Sequence, residues 1–167
     1  MNGVSKSYAM TGWRIGYGAG TKEIIKAMAK LQSQSTTNPS SISQAAAVEA
    51  LDGNQDFMLK RNQSFKERRD FVVETLNKIE GISCLKPNGA FYVFPNCLKF
   101  LNKKDKTGKI IKNDSDFVNS LLENYQVAVV QGSAFGLEGY FRISYATSMN
   151  KLKKALDRIS NFCKSLS

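Results

Sequence analysis

Lys6 and Arg14 stand eight residues apart in a stretch crowded with small side chains, Asn2-Gly3-Val4-Ser5-Lys6-Ser7-Tyr8-Ala9-Met10-Thr11-Gly12-Trp13-Arg14-Ile15-Gly16-Tyr17. One amine, one guanidinium and glycines that let backbone come close are the parts that could hold a phosphate-bearing cofactor. A lysine amine must be unprotonated to attack a carbonyl, whereas free lysine titrates at about 10.4. Desolvation and nearby positive charge lower that value, and Arg14 could supply some of the charge. The planar, permanently charged arginine fork suits phosphate, and Gly12 and Gly16 would allow the turn and the close approach. By residue type alone the readings are blander: Lys6 as a solvated turn residue, Arg14 as a surface ion-pair partner, Trp13 as core packing. For Trp13 the core reading is kept.

A second arginine sits in Tyr140-Phe141-Arg142-Ile143-Ser144-Tyr145-Ala146, with apolar or aromatic neighbours on most sides. An arginine inside a strand is most often outward and solvated. Held in place, its fork pairs a carboxylate at two points. Histidine is absent, which excludes Ser-His and Cys-His nucleophile pairs, histidine zinc sites and any histidine base. Lysine is left as the natural proton carrier.

These groups must be positioned by a chain of 167 residues, 42% hydrophobic and 23% charged, within the range of a soluble globular protein. No stretch approaches the roughly 18 apolar residues of a membrane span and no signal peptide is visible, so a cytoplasmic location is expected. Cys84, Cys97 and Cys163 are odd in number and widely spaced, and read as free thiols. The net charge of +10 raises the question of nucleic acid, and six lysines (99, 103, 104, 106, 109 and 112) face only Asp105 within one run. No aromatic interleaves that run after Phe100, and Thr107-Gly108 looks like a turn, so a solvated, variable loop is expected there and no nucleic-acid partner.

Periodicity places an amphipathic helix over Lys22–Gln34, with Ile24, Ile25, Met28 and Leu31 on one face. Asn38 as cap and Pro39 in the first turn would start a second helix that Asp52-Gly53 ends, with alanines at 45, 46, 47 and 50 for close packing. A long helix is expected from Gln55 to Glu80, striped with Met58, Phe65, Val72, Leu76 and Ile79 and stopped by Gly81. Short strands follow at Ile82–Leu85 and Ala90–Phe94, then a helix over Ser115–Tyr125, strands at Val127–Val130 and Phe141–Tyr145, and a last helix over Asn150–Ser165.

The opening string matches the lysine-attachment signature of class I pyridoxal-phosphate aminotransferases: Gly3, Val4, Ser5 and Lys6, two free positions, Ala9 to Gly12, one free position, then Arg14, Ile15 and Gly16. Ala134-Phe135-Gly136, a further glycine and Phe141-Arg142-Ile143-Ser144-Tyr145-Ala146 resemble the family's C-terminal signature. The resemblance runs to the end of the chain and is strongest to bacterial aspartate aminotransferases. It implies that Lys6 carries pyridoxal 5'-phosphate as a Schiff base and moves the substrate's α-proton, that Arg14 grips the cofactor phosphate, and that Arg142 binds the substrate's α-carboxylate. It implies transfer of an amino group between an amino acid, aspartate first, and a 2-oxo acid, by an enzyme that is a homodimer at full length. Where the family commonly has proline before the glycine of the second signature, this chain has Gln131, which would loosen that loop.

The resemblance also implies an α/β fold, the C-terminal part of the type I pyridoxal-phosphate transferase fold: residues 1–53 from the large cofactor-binding domain, 54–80 a connecting helix, and 81–167 a small α+β domain. The groups that tune the cofactor ring and read the substrate side chain would lie in a separate N-terminal portion, so activity of these residues alone is not expected. The alternative is a catalytically incompetent fragment acting only as an interaction or remnant domain.

Overall fold

A computed structural model describes all 167 residues, Met1–Ser167. The chain divides into two compact units, Met1–Lys60 and Arg61–Ser167, and no helix is long and apolar enough to cross a membrane.

The first unit opens with strand β1 (Asn2–Gly3), a four-residue helix α1 (Val4–Ser7), a 3₁₀ turn over Thr11–Trp13 and strand β2 (Gly16–Tyr17), which pairs antiparallel with β1. Helices α2 (Lys22–Gln34) and α3 (Ser41–Asp52) follow. The helix expected from an Asn38 cap begins later, behind Ser40. Asn38 is turned back instead, its N–H bonded to the Thr36 carbonyl, after a left-handed Thr37 at φ 65°. The apolar face expected for α2 exists but is bare, with Leu31 74% exposed, and on α3 Ile42 is 71% exposed while Ala47 is buried. Trp13, expected in a core, is 43% exposed, in a turn none of whose residues is buried.

Helix α4 (Asp56–Asn77) starts in the first unit and continues in the second. Its last bonds tighten to three-residue spacing, Lys78 N–H to Thr75 and Ile79 N–H to Leu76, before Gly81 turns the chain at φ 92°. A Cβ there would lie 2.8 Å from the Phe100 ring, so both conformation and space require glycine. The strand expected at Ile82–Leu85 is absent from the sheet. Asn77 supplies the reason, since its side-chain amide donates to the Cys84 carbonyl and its side-chain oxygen accepts the Cys84 N–H, doing the work of a neighbouring strand.

The second unit is built on an antiparallel sheet in the order β3 (Tyr92–Val93), β5 (Phe141–Ser144), β4 (Val130–Gln131). Helix α5 (Asp114–Tyr125) is capped by Asn113, whose side-chain oxygen accepts the Asp116 N–H, and Asp114 and Asp116 complement its dipole. Helix α6 (Met149–Ser165) is capped by Ser148. The apolar stripes of α4 and α6 meet the sheet in one core holding Val72, Leu76, Phe141, Leu156, Ile159 and Phe162. Phe117 is fully buried at its centre, 5.0 Å from the Phe162 ring, 5.2 Å from Phe141 and 5.8 Å from Phe100. Such aromatic pairs contribute about 0.5–1.5 kcal/mol each beyond area burial.

The lysine-rich segment keeps the solvated side chains expected of it, on a backbone that is more regular than a loop. Its lysine side chains are mostly exposed, but its backbone is a closed hairpin, with Ile111 N–H bonded to Lys103, Asn102 N–H to Ile111, and Lys104 exchanging both bonds with Ser167. The cause is Asp105, buried beneath the turn. Burial alone would raise the proton affinity of its carboxyl, yet hydrogen bonds from Ser120 and Thr107 outweigh this and hold it well below the usual carboxylate range. The Thr107-Gly108 turn is present, with Gly108 at φ 85°.

Candidate active site

The two units hold the sequence-identified residues separately: Lys6 and Arg14 in the first, Arg142 in the second.

In the first unit, the pairs Asn2↔Tyr17 and Gly3↔Gly16 close the chain between them into a loop. Gly16 approaches closely in that closure, since a Cβ on it would lie 3.1 Å from the Asn2 carbonyl oxygen. The close approach expected of Gly16 is therefore to the chain's own backbone. Gly12, by contrast, has open space where a Cβ would be. Val4 is buried and anchors the loop from beneath, and the Tyr8 hydroxyl donates to the Gln55 side chain at 2.9 Å.

Lys6 lies in the last turn of α1, exposed. No hydrogen bond or ion pair engages its amine. The Ala9 N–H returns to the Lys6 carbonyl at 3.2 Å, which turns the chain towards the 3₁₀ turn. Arg14 follows that turn in the left-handed region at φ 49°, and its Nη1 donates to the Thr11 carbonyl at 2.9 Å. The remaining N–H groups of Arg14 are unpartnered and no carboxylate pairs with it. Arg14 opens on a cavity of about 530 Å³ shared with Gly18, Gln32, Thr36 and Asn38. The polar turn after α2 is thus brought against the arginine.

In the second unit, Arg142 occupies the middle of the sheet on β5, opposite Val130 of β4. Its guanidinium carbon lies 4.3 Å from the centre of the Tyr92 ring and 4.2 Å from that of Phe135. No salt bridge or hydrogen bond occupies its N–H groups. Register explains Tyr92: it is paired with Ser144, two residues from Arg142 on the same face, so ring and guanidinium are diagonal neighbours. Phe135 ends a 3₁₀ turn, Gly132–Phe135, whose Ser133 N–H is held by the buried Asp114 carboxylate at 2.6 Å.

Tyr92, Phe135 and Asp114 were not singled out by the sequence. Phe135 lies inside the second signature, and the strand alternation that places Tyr92 on the Arg142 face is visible only once the register is known.

The loosening expected from Gln131 is not found. Its φ is −62°, the value proline would impose, and the following Gly132 N–H is bonded to Tyr140 at 2.7 Å. The three cysteines are free and buried. Burial pushes the Cys84 thiol up to about 11 and those of Cys97 and Cys163 to about 12, so none is a poised nucleophile.

A family model described as aminotransferase class I and II matches residues 1–159. The whole chain is 60% identical over 167 residues to an aspartate aminotransferase of Rhizobium meliloti (strain 1021), of which it covers 41%. A crystal structure of the aspartate aminotransferase from Rhizobium meliloti superposes with a TM-score of 0.93 at 60% identity, over 99% of this chain and 42% of that one. An aromatic aminotransferase from Pyrococcus horikoshii OT3 superposes with a TM-score of 0.83 at 39% identity, over 98% of this chain and 42% of that one. The chain spans about two-fifths of the length of the relatives it matches.

Proposed function

The chain belongs to the class I and II aminotransferases, and from that premise we propose that Lys6, Arg14 and Arg142 serve amino-group transfer between an amino acid and a 2-oxo acid with pyridoxal 5'-phosphate as cofactor. The observation that carries the reading is the closed loop of the first unit, which presents an amine and a guanidinium that nothing else in the chain neutralises.

The donor set fits the cofactor. A primary amine without a partner suits its carbonyl carbon, and an arginine with free N–H groups beside a cavity suits its phosphate. When bound, pyridoxal phosphate supplies an electron-withdrawing ring that takes up the charge released at the substrate's α-carbon. Lys6 would hold the carbonyl carbon and, once displaced by the substrate amine, take the proton from the α-carbon. Arg14 would bind the phosphate as a planar, permanently charged fork. Arg142 would fix the substrate's carboxylate at two points and so orient the bond to be broken. Aspartate is the first choice of substrate on likeness alone, since no residue here reads a side-chain carboxylate.

The experiment is borohydride trapping with pyridoxal phosphate, followed by peptide mapping. Label on Lys6, one of eighteen lysines, and its loss in Lys6→Ala are expected. Label spread over other lysines overturns the assignment.

A second reading, association without catalysis, is favoured by the bare apolar residues Ile24, Leu31, Ile42 and Val48. It predicts a stable complex with a homologous full-length chain in sedimentation and no Lys6 label in that complex.

A further inference from the structure

Arg142 lies over two aromatic rings, with ring centres of Tyr92 and Phe135 4.3 Å and 4.2 Å from its guanidinium carbon. No hydrogen bond or salt bridge within the chain occupies its N–H groups. Each ring is itself supported, Tyr92 by Phe91 at 4.3 Å between centres and Phe135 by the edge of Phe94 at 6.1 Å. Phe94 in turn stacks on Tyr140 at 5.6 Å and 12° between planes. The backbone beneath Phe135 is equally fixed. Asp114, 1% exposed, holds the Ser133 N–H at 2.6 Å, and Gly136 closes the turn in the left-handed region at φ 77°.

A free arginine side chain loses about 2 kcal/mol of rotamer entropy when it is pinned by a ligand. Here the rings and the turn have already removed much of that freedom. A guanidinium close to two π-faces is attracted to each by about 0.5–2 kcal/mol. Stacked against such rings, a guanidinium offers an anion the approach in its own plane. A planar carboxylate takes that approach with both oxygens, whereas a tetrahedral anion carries oxygens out of that plane, towards the electron-rich ring faces.

We propose that Tyr92 and Phe135 are positioning residues, an aromatic clamp that sets the Arg142 plane so that the site prefers planar carboxylates to tetrahedral anions, with Asp114 holding Phe135 in register through Ser133. The proposal rests on the reading of Arg142 as the carboxylate-binding residue. Tyr92 and Phe135 need not touch substrate; they act through Arg142.

The test is an NMR titration of the full chain with propionate and, separately, its near-isostere ethanesulfonate, read at the Arg142 side-chain Nε–H. Ring currents should move the Arg142 Hδ signals upfield in the parent. Phe135→Leu and Tyr92→Leu should reverse that shift, weaken propionate roughly threefold to tenfold, and shrink its preference over ethanesulfonate. Tyr92→Phe and Phe135→Tyr keep a π-face of the same size and should hold propionate affinity to within about twofold of the parent, an outcome that loss of packing alone does not produce. Phe135 is half exposed, so its leucine variant tests the clamp without threatening the core.

Leucine variants that bind propionate as the parent does, while Arg142→Gln does not, overturn the clamp and leave the reading of Arg142 intact. Unchanged propionate binding in Arg142→Gln, or an Arg142 Nε–H in the parent that ignores propionate, overturns that reading and the clamp with it.

Discussion

The Ser120 hydroxyl donates to the Asp105 carboxylate at 2.5 Å, tying helix α5 to a turn fifteen residues earlier in the chain. The other oxygen of Asp105 accepts the Thr107 N–H and hydroxyl at 2.8 Å and 2.6 Å and the Lys109 N–H at 3.1 Å. One buried anion thus organises the whole basic hairpin.

Removing that anion should therefore unseat the hairpin. Asp105→Ala leaves several buried donors without an acceptor and should cost about 3 kcal/mol or more, measured by urea unfolding. The sign of the pH dependence follows from the depressed folded-state value. The contribution is complete above the unfolded carboxyl value of 3.8 and is lost as pH falls below it towards the lower folded value. Asp105→Asn should flatten the acid limb of the stability curve below pH 4. An acid limb of unchanged slope sinks the assignment.

The sequence showed a good part of this architecture and concealed the rest for identifiable reasons. Helices α2 and α6 were readable because their apolar residues recur with helical spacing, and Arg142 because a signature surrounds it. Asp105 looked like one acid lost among lysines, since its partners Ser120 and Asn124 arrive from the next helix. Cys84 sat in a plausible strand, but Asn77 satisfied its backbone first. Tyr92 became a neighbour of Arg142 only through strand register. Asp105 and Tyr92 were missed because their partners are distant in sequence, which periodicity does not report.

The turn that carries Phe135 is steric in its demands. A Cβ on Gly132 would lie 2.8 Å from the Tyr140 carbonyl oxygen and against the Leu137 carbonyl. Gly132→Ala should cost about 1–3 kcal/mol, since backbone must move. Gln131 invites the opposite change. The Gly132 N–H points across to Tyr140, so by strand alternation the Gln131 N–H faces away from β5, on the edge strand β4. With φ already at −62°, Gln131→Pro should stabilise by about 0.4–1 kcal/mol by restricting the unfolded chain. A loss of stability in thermal melts of that variant means that the N–H was in use.

Gly12 and Gly16 should part company when substituted. Gly16→Ala presses a methyl group towards the Asn2 carbonyl and should loosen the β1–β2 pair, seen as faster hydrogen exchange at the paired amides. Gly12→Ala meets nothing in the chain and should leave stability within about 0.5 kcal/mol. If the open side of Gly12 is where cofactor approaches, the same change should reduce borohydride-trapped label on Lys6. Equal trapping in Gly12→Ala and the parent removes Gly12 from the site.

Arg14 combines a proposed role with strain in one residue. A non-glycine residue in the left-handed region is disfavoured by roughly 1–2 kcal/mol, and Arg14 sits there at φ 49° while its side chain returns to the Thr11 carbonyl. The strain sits at the proposed phosphate site, where the proposed function uses a guanidinium and a glycine would fold more comfortably. Two substitutions separate the contributions. Arg14→Ala removes the fork and keeps the strain; Arg14→Gly removes both. The glycine variant should be more stable than the alanine variant by about 1 kcal/mol in urea unfolding, and both should lose most of the Lys6 label at low pyridoxal phosphate. Equal stability would show that the left-handed geometry carries no strain here. Full labelling of Lys6 in both variants would remove Arg14 from phosphate binding, whatever their stabilities, because both lack the guanidinium.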